Sequence, residues 1–273
     1  MNWANQNQII EGSRFVIAGQ EKLGKTTLVA GAPRALFVPL EIGYRTVKVQ
    51  KTPMIQKYQE FIGLLNDIEN GCKSGQFPFQ SLVVDSLTAL ERMIHTHIVD
   101  METFGRKGTK GVTMETAMGG YGKAYVQAND LYSEVLNTFD RLAVNHGINI
   151  VVTCHVFASQ VNDPQHGQYD SWDLLLHTPK DQKRYGKREL TTQWADFIGF
   201  LFEPLHVTET NGVRKGISAQ KGRLLGVSRT PSYVAGNRFG LEGEIVIPKE
   251  FGWNALAKSI YDVCGIDFYN REV

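Results

Sequence analysis

From Gly19 to Thr26 the chain reads Gly-Gln-Glu-Lys-Leu-Gly-Lys-Thr, the spacing G-x-x-x-x-G-K-[ST]. That pattern suits phosphate. Glycines let backbone N–H groups close around anionic oxygens, a lysine neutralises the terminal phosphates, and a hydroxyl ligates a divalent cation. The expected nucleotide-binding set is Gly19, Gln20, Glu21, Lys22, Leu23, Gly24, Lys25, Thr26 and Thr27. Within it, Lys25 would sit on the β and γ phosphates and Thr26 on magnesium. ATP and Mg2+ are the expected ligands, and ATP hydrolysis the expected reaction.

Two carboxylates and a histidine stand at the ends of apolar runs. Asp85 closes Ser81–Val84, where a magnesium-supporting carboxylate is expected; alone, it could equally cap the helix that follows. Hydrolysis also needs a group to orient water. Ser86 follows Asp85, so no adjacent glutamate can serve. Glu41, after Ala35–Leu40, is the better-placed candidate, although by itself it would pass for a solvated turn residue. His155 follows Ile148–Thr153 and is the candidate sensor beside the γ-phosphate, where a lone histidine is otherwise a packed or surface residue.

Positioning these groups requires strands that end on one edge of a parallel sheet. The runs Arg14–Ala18, Ala35–Leu40, Ser81–Val84 and Ile148–Thr153 read as buried strands. Helical periodicity covers 54–70, 88–104 and the stretch after Gly122, and a short helix is expected over 27–32. The residues from His155 to about Leu190 read as a long polar loop. Later strands are expected at 197–202, 214–220 and 232–235, with Asn211-Gly212 as a hairpin turn, and a last helix at 255–263. The fold class is therefore α/β: a largely parallel sheet with helices on both faces and antiparallel C-terminal strands. One domain is expected over 1–273, with 1–12 as an N-terminal extension.

Composition adds little constraint. Lys plus Arg number 29 against 28 Asp plus Glu, a net charge of +1, so any nucleic-acid site must be a local patch. Cys72, Cys154 and Cys264 are odd in number and far apart, which suits a reducing cytoplasm and gives no metal-ligand spacing. No signal pattern and no membrane-length apolar run occurs, so a cytoplasmic protein without membrane contact is expected. His95 and His97 are two apart on a predicted helix and make a poor metal pair. Cys154 reads as core and Ser86 as a helix cap.

Taken in order, the motifs resemble the RecA-type core of P-loop ATPases. Val83-Val84-Asp85-Ser86-Leu87-Thr88-Ala89-Leu90 resembles the second nucleotide motif of RecA. Phe37–Gly43 matches the place of its catalytic glutamate, and Asn237-Arg238-Phe239-Gly240 resembles the K-N-R-F-G motif of the RadA branch. Tyr121-Gly122-Lys123 and Thr153-Cys154-His155 complete an order similar to phage-encoded RecA-like ATPases of the Sak group, over roughly residues 14–250. The resemblance implies a ring or filament in which Arg238 reaches a neighbour's nucleotide, with Gly236 standing where RadA-like proteins carry lysine. For a phage protein the compartment would be the host cytoplasm.

The same resemblance implies single-stranded DNA as partner, in recombination, annealing or replication, with a single-strand binding protein as a further candidate. Two loops would contact DNA: 105–122, with Arg106, Lys107, Lys110 and the adjoining Lys123, and 156–190, with Lys183, Arg184, Lys187 and Arg188. Tyr169 and Trp172 could stack bases. The late hairpin adds Arg214, Lys215, Lys221, Arg223 and Arg229. Charge runs are also ordinary solvated faces. The rival reading is a nucleotide-gated assembly protein that recruits protein partners without touching DNA.

Overall fold

A computed structural model describes residues 11–45, 47–105, 111–165, 167–179, 185–210, 213–218 and 222–269. The four expected strands form, as β1 (Arg14–Gly19), β2 (Ala35–Pro39), β4 (Ser81–Asp85) and β5 (Asn149–Cys154), and an unexpected two-residue β3 (Gln50–Lys51) joins them. Helices α1 (Lys25–Val29), α2 (Tyr58–Lys73), α3 (Leu87–Gly105) and α4 (Lys123–His146) alternate with them. Further on come β6 (Val156–Asp163), β7 (Gly167–Leu174), α5 (Lys187–Trp194) and β8 (Phe197–Phe202). The chain then adds β9 (Leu205–Thr210), β10 (Val213–Ser218), β11 (Arg223–Gly226), β12 (Gly236–Asn237), β13 (Glu244–Ile247) and α6 (Gly252–Cys264).

Among the described residues the main sheet runs β13-β11-β8-β1-β5-β4-β2-β3, with β12 also paired to β8. Strands β8, β1, β5, β4, β2 and β3 are parallel, while β11 and β12 pair antiparallel with β8, and β13 antiparallel with β11. The mixed sheet and its antiparallel C-terminal strands agree with the sequence reading. Placing β5 between β1 and β4 matters for the site, because it brings Thr153 alongside both the phosphate-loop strand and the Asp85 strand.

Alternation along β1 explains the three layers. Phe15 and Ile17 pack with Leu28 and Val29 of α1 and with Trp253, Leu256 and Ile260 of α6. Val16 and Ala18 face the other way, into a core built from α2, α3 and α4 that includes Phe61, Leu65, Leu90, Tyr132 and Phe139. No helix among the described residues is long and apolar enough to cross a membrane.

The stretch after His155 departs from expectation. Instead of a loop, β6 and β7 form an antiparallel hairpin, from Val156 opposite Leu174 to Asp163 opposite Gly167, and α5 begins at Lys187. The 232–235 strand is also absent: Tyr233 makes a single bridge to Trp172, and the short β12 follows instead. Strands flank Asn211 and Gly212, but those two residues lie outside the described set, as do Arg106, Lys107, Lys110, Lys183 and Arg184. Of the residues 111–122, Ala117–Gly119 form a short 3-10 turn, and Lys123 is exposed at the start of α4.

Lys187 corrects the DNA-binding expectation for that residue. Its side chain is 0% exposed. The ammonium donates to Asn129 Oδ1 (3.2 Å) and His95 Nε2 (3.3 Å) and pairs with Glu91 at 3.3 Å. A buried ammonium is tolerable only with such partners, and those partners leave no donor facing a nucleic acid. Arg188 is likewise engaged, with Asp173 and Glu189 each at 2.8 Å. His177 completes the cluster: its backbone N–H donates to Glu91 Oε1 (2.8 Å), and its ring stacks on Tyr125 at 4.2 Å.

Two outcomes follow from this packing. The Phe15 ring lies 5.3–5.8 Å from the rings of Trp253, Phe197, Phe268 and Phe239. Phe15→Ala should therefore lower unfolding free energy by about 3–5 kcal/mol, read from urea denaturation midpoints; a loss within error would show that the site collapses. The second concerns acid. Burial, aided by the Lys187 and His177 charges, pushes His95 down from 6.5 to about 4. The native chain thus holds His95 neutral where the unfolded chain protonates it, so stability is full above pH 6.5 and declines toward pH 4. His95→Gln should flatten that decline in urea midpoints taken at pH 7.5 and pH 5. His177, also lowered by burial, leaves a residual slope; an unchanged slope in the variant would overturn the assignment.

Candidate nucleotide site

Strands β1, β2, β4 and β5 end on the same edge of the sheet and deliver the site. Strand β1 runs into the phosphate loop, whose two motif glycines are needed for different reasons. A Cβ on Gly19 (φ +156°) would stand 2.5 Å from the Leu201 carbonyl oxygen of β8. On Gly24 (φ +86°) it would stand 2.2 Å from Nη1 of Arg223. Lys25, 7% exposed, turns its ammonium back across the loop and donates to the carbonyls of Gly19 and Gln20, each at 2.8 Å. Gln20, Glu21, Lys22 and Thr27 are exposed around it, and Leu23 is half-buried.

Asp85 is 4% exposed and joins three elements. Thr26 Oγ1 donates to its Oδ2 at 2.9 Å, and the Thr153 hydroxyl donates a short hydrogen bond to Oδ1. Burial pushes the Asp85 carboxyl above its ordinary value, with the two threonine bonds and the Lys25 charge opposing. Burial likewise lowers Lys25, against the charges of Asp85 and Glu41. A strand-end carboxylate in contact with a hydroxyl from the first turn of α1 forms the hard oxygen set that suits magnesium. Thr26 and Asp85 therefore fit that ion.

Glu41 and His155, 114 residues apart in sequence, meet at 2.9 Å between Oε1 and Nε2. A carboxylate only accepts, so Nε2 carries the donated hydrogen. Burial alone would raise the Glu41 carboxyl. The His155 bond and charge, a Ser86 bond and the Arg92 charge outweigh burial and hold it below the usual carboxylate range. Arg92, exposed on α3, reaches Glu41 Oε2 at 3.1 Å. The Thr88 hydroxyl bonds the His155 backbone N–H (3.1 Å), and Leu175 N–H closes onto the His155 carbonyl (2.8 Å). The base of the β6–β7 hairpin is thus pinned to the residue that touches Glu41.

Five of the expected residues, Lys25, Thr26, Asp85, Glu41 and His155, converge on this edge. Arg238 does not. It sits at the other end of β8, where its N–H donates to the Asp196 carbonyl and its guanidinium pairs with Asp196 Oδ1 at 2.8 Å. The same carboxylate holds Arg14, the first residue of β1.

Sequence reasoning missed Thr153, Arg92 and Arg223. Thr153 carried a signal, its place two residues before His155. Arg223 did not: it was counted with the basic hairpin, yet it is 8% exposed and bonded to the phosphate loop.

No curated protein matches the sequence. A family model described as an AAA domain matches residues 11–239, from before β1 to just past Arg238. Nucleotide binding and hydrolysis are the general activity of such domains, and the strand, loop and carboxylate geometry of this edge agrees with it. The match spans well over half of the sequence, and the chain belongs to the AAA domain family of P-loop ATPases.

Proposed function

We propose that the protein is a RecA-like, magnesium-dependent ATPase that binds single-stranded DNA and self-associates into a ring or filament. The observation that carries the catalytic part is the Glu41–His155 contact of 2.9 Å, on the strand edge that also holds Asp85 and the phosphate loop. Loop N–H groups and Lys25 hold the phosphates. Thr26 and Asp85 hold magnesium, which when bound neutralises charge on the phosphate oxygens. Glu41, kept ionised by His155 and Arg92, orients the attacking water and accepts its proton. His155 holds that carboxylate in place and senses the γ-phosphate, since its ring cannot move without disturbing Glu41. Arg238 serves the nucleotide of a neighbouring copy.

The DNA reading is supported by the hairpin rooted at His155, which carries Tyr169 and Trp172, and by Lys123 beside the 98% exposed Tyr121. Aromatic side chains beside a lysine suit the stacked bases of single strands, while Asp163, Asp170 and Asp173 on the hairpin oppose them. One observation favours the rival, a nucleotide-gated assembly protein with protein partners. Among the cations counted toward DNA, Lys187, Arg188 and Arg223 are committed to internal partners.

Steady-state ATP hydrolysis with and without single-stranded DNA tests both readings. Lys25→Ala and Glu41→Gln should each reduce turnover by about 10²-fold or more, with Glu41→Gln retaining nucleotide binding. DNA should stimulate the wild type. Turnover unchanged in Glu41→Gln would remove Glu41 from the chemistry, and a slow rate indifferent to DNA would leave the assembly reading in place.

A further inference from the structure

Arg223 opens β11, which pairs antiparallel with the end of β8 that flanks the phosphate loop. Its guanidinium donates from Nη1 to the carbonyls of Leu23 (3.0 Å) and Gly24 (3.3 Å), and from Nη2 to the carbonyl of Pro248 (2.7 Å). At 8% exposure it is nearly out of water, and its Nε has no hydrogen-bond partner. All of its described hydrogen bonds go to neutral carbonyls; Glu203 acts on it only through space. A desolvated cation without a bonded anion is costly, so the fold must gain something from placing it there.

The gain follows from peptide geometry. In a trans peptide the C=O and the following N–H point in opposite directions. Holding the Leu23 and Gly24 carbonyls toward Arg223 turns the N–H groups of Gly24 and Lys25 away from it, on the opposite side of the loop. The Gly24 carbonyl also accepts from Leu28 N–H at 3.0 Å, the first turn of α1, so the brace fixes both the loop and the helix start. Gly24 lacks the Cβ that would meet Nη1, which ties the motif glycine to this arginine as much as to the phosphate.

We infer that Arg223 is a positioning residue of the nucleotide site: it aims the Gly24 and Lys25 N–H groups, and the phosphates supply the negative charge that its buried guanidinium lacks. The inference rests on the proposed nucleotide binding at this loop. Binding of a polyphosphate then relieves an electrostatic cost present in the nucleotide-free chain. Arg223 thus couples the C-terminal antiparallel strands, including β13 through Pro248, to occupancy of the site.

The test measures MgADP affinity by isothermal titration, and melting temperature with and without saturating MgADP. It compares wild type, Lys25→Ala, Arg223→Gln and Arg223→Lys. Arg223→Gln should weaken MgADP by about 10- to 100-fold, the effect expected for losing charge-assisted bonds. Its nucleotide-free melting temperature should stay at or above that of wild type, and the shift on adding MgADP should shrink. Arg223→Lys keeps the charge but lacks the planar fork that spans the loop carbonyls on one nitrogen and the Pro248 carbonyl on the other, so its affinity should fall between the two. A wild type that fails to bind MgADP overturns the proposed function and this inference with it. A wild type that binds, with Arg223→Gln binding equally well, overturns this inference alone. So does an Arg223→Gln protein that melts far earlier without nucleotide yet keeps wild-type affinity, since that is the behaviour of a plain structural brace. Should Arg223→Gln not fold, Arg223→Lys decides, and wild-type affinity in it overturns the assignment.

Discussion

The Asp85 carboxylate is the point on which the nucleotide edge depends. It ends one strand and is gripped by hydroxyls from two other elements, Thr26 at the start of α1 and Thr153 on β5. Each contact requires that its element finish at the right height, which parallel pairing enforces: Pro39 lies opposite Asp85, and Val84 opposite Val152. A one-residue slip of β4 would turn Asp85 to the other face and bring Val84 to the strand end. The apolar alternation that fills both cores is therefore also what keeps the carboxylate in register with the loop.

From Asp85 outward, the site is a set of polar groups whose charge states are set by mutual contact rather than by solvent. Lys25 and Asp85 are both pressed toward neutrality by burial, and each is partly restored by the other. Glu41 is pulled the opposite way, toward the anion, by His155 and Arg92. Two carboxylates on one edge thus have different roles available to them: one buried and bonded to hydroxyls, the other kept ionised and half-open to water.

The sequence made this edge readable because its parts are short and local. A buried parallel strand is an apolar run, and a residue just past its end is on the ligand edge by construction, which located Glu41, Asp85 and His155. The β6–β7 hairpin escaped notice because it stands outside the main sheet and mixes Ser, Gln, Asn and Asp with its apolar residues, so no run marks it. Lys187 looked like its neighbours in a basic stretch; only the arrival of Glu91, Asn129 and His95 from α3 and α4 makes it internal. Arg223 lies 200 residues from the carbonyl it holds, and no spacing rule spans that distance.

At the far edge of the sheet, Asp196 serves two arginines unequally. Arg14 is half-buried and grips it through backbone N–H, Nε and Nη2, with Asp140 as a second anchor. Arg238 is 58% exposed; its side chain holds the Asp196 carboxylate by Nη1 alone and the Gln193 carbonyl by Nη2 at 3.0 Å. Such an exposed pair is worth about 0–1 kcal/mol and re-forms on the timescale of side-chain motion. Removing Arg238 from Asp196 leaves no orphaned anion behind, because Arg14 remains. The chain can therefore extend this arginine outward for the loss of two solvent-exposed contacts, like a hand already resting on the door, while the strand ends it rests upon stay latched.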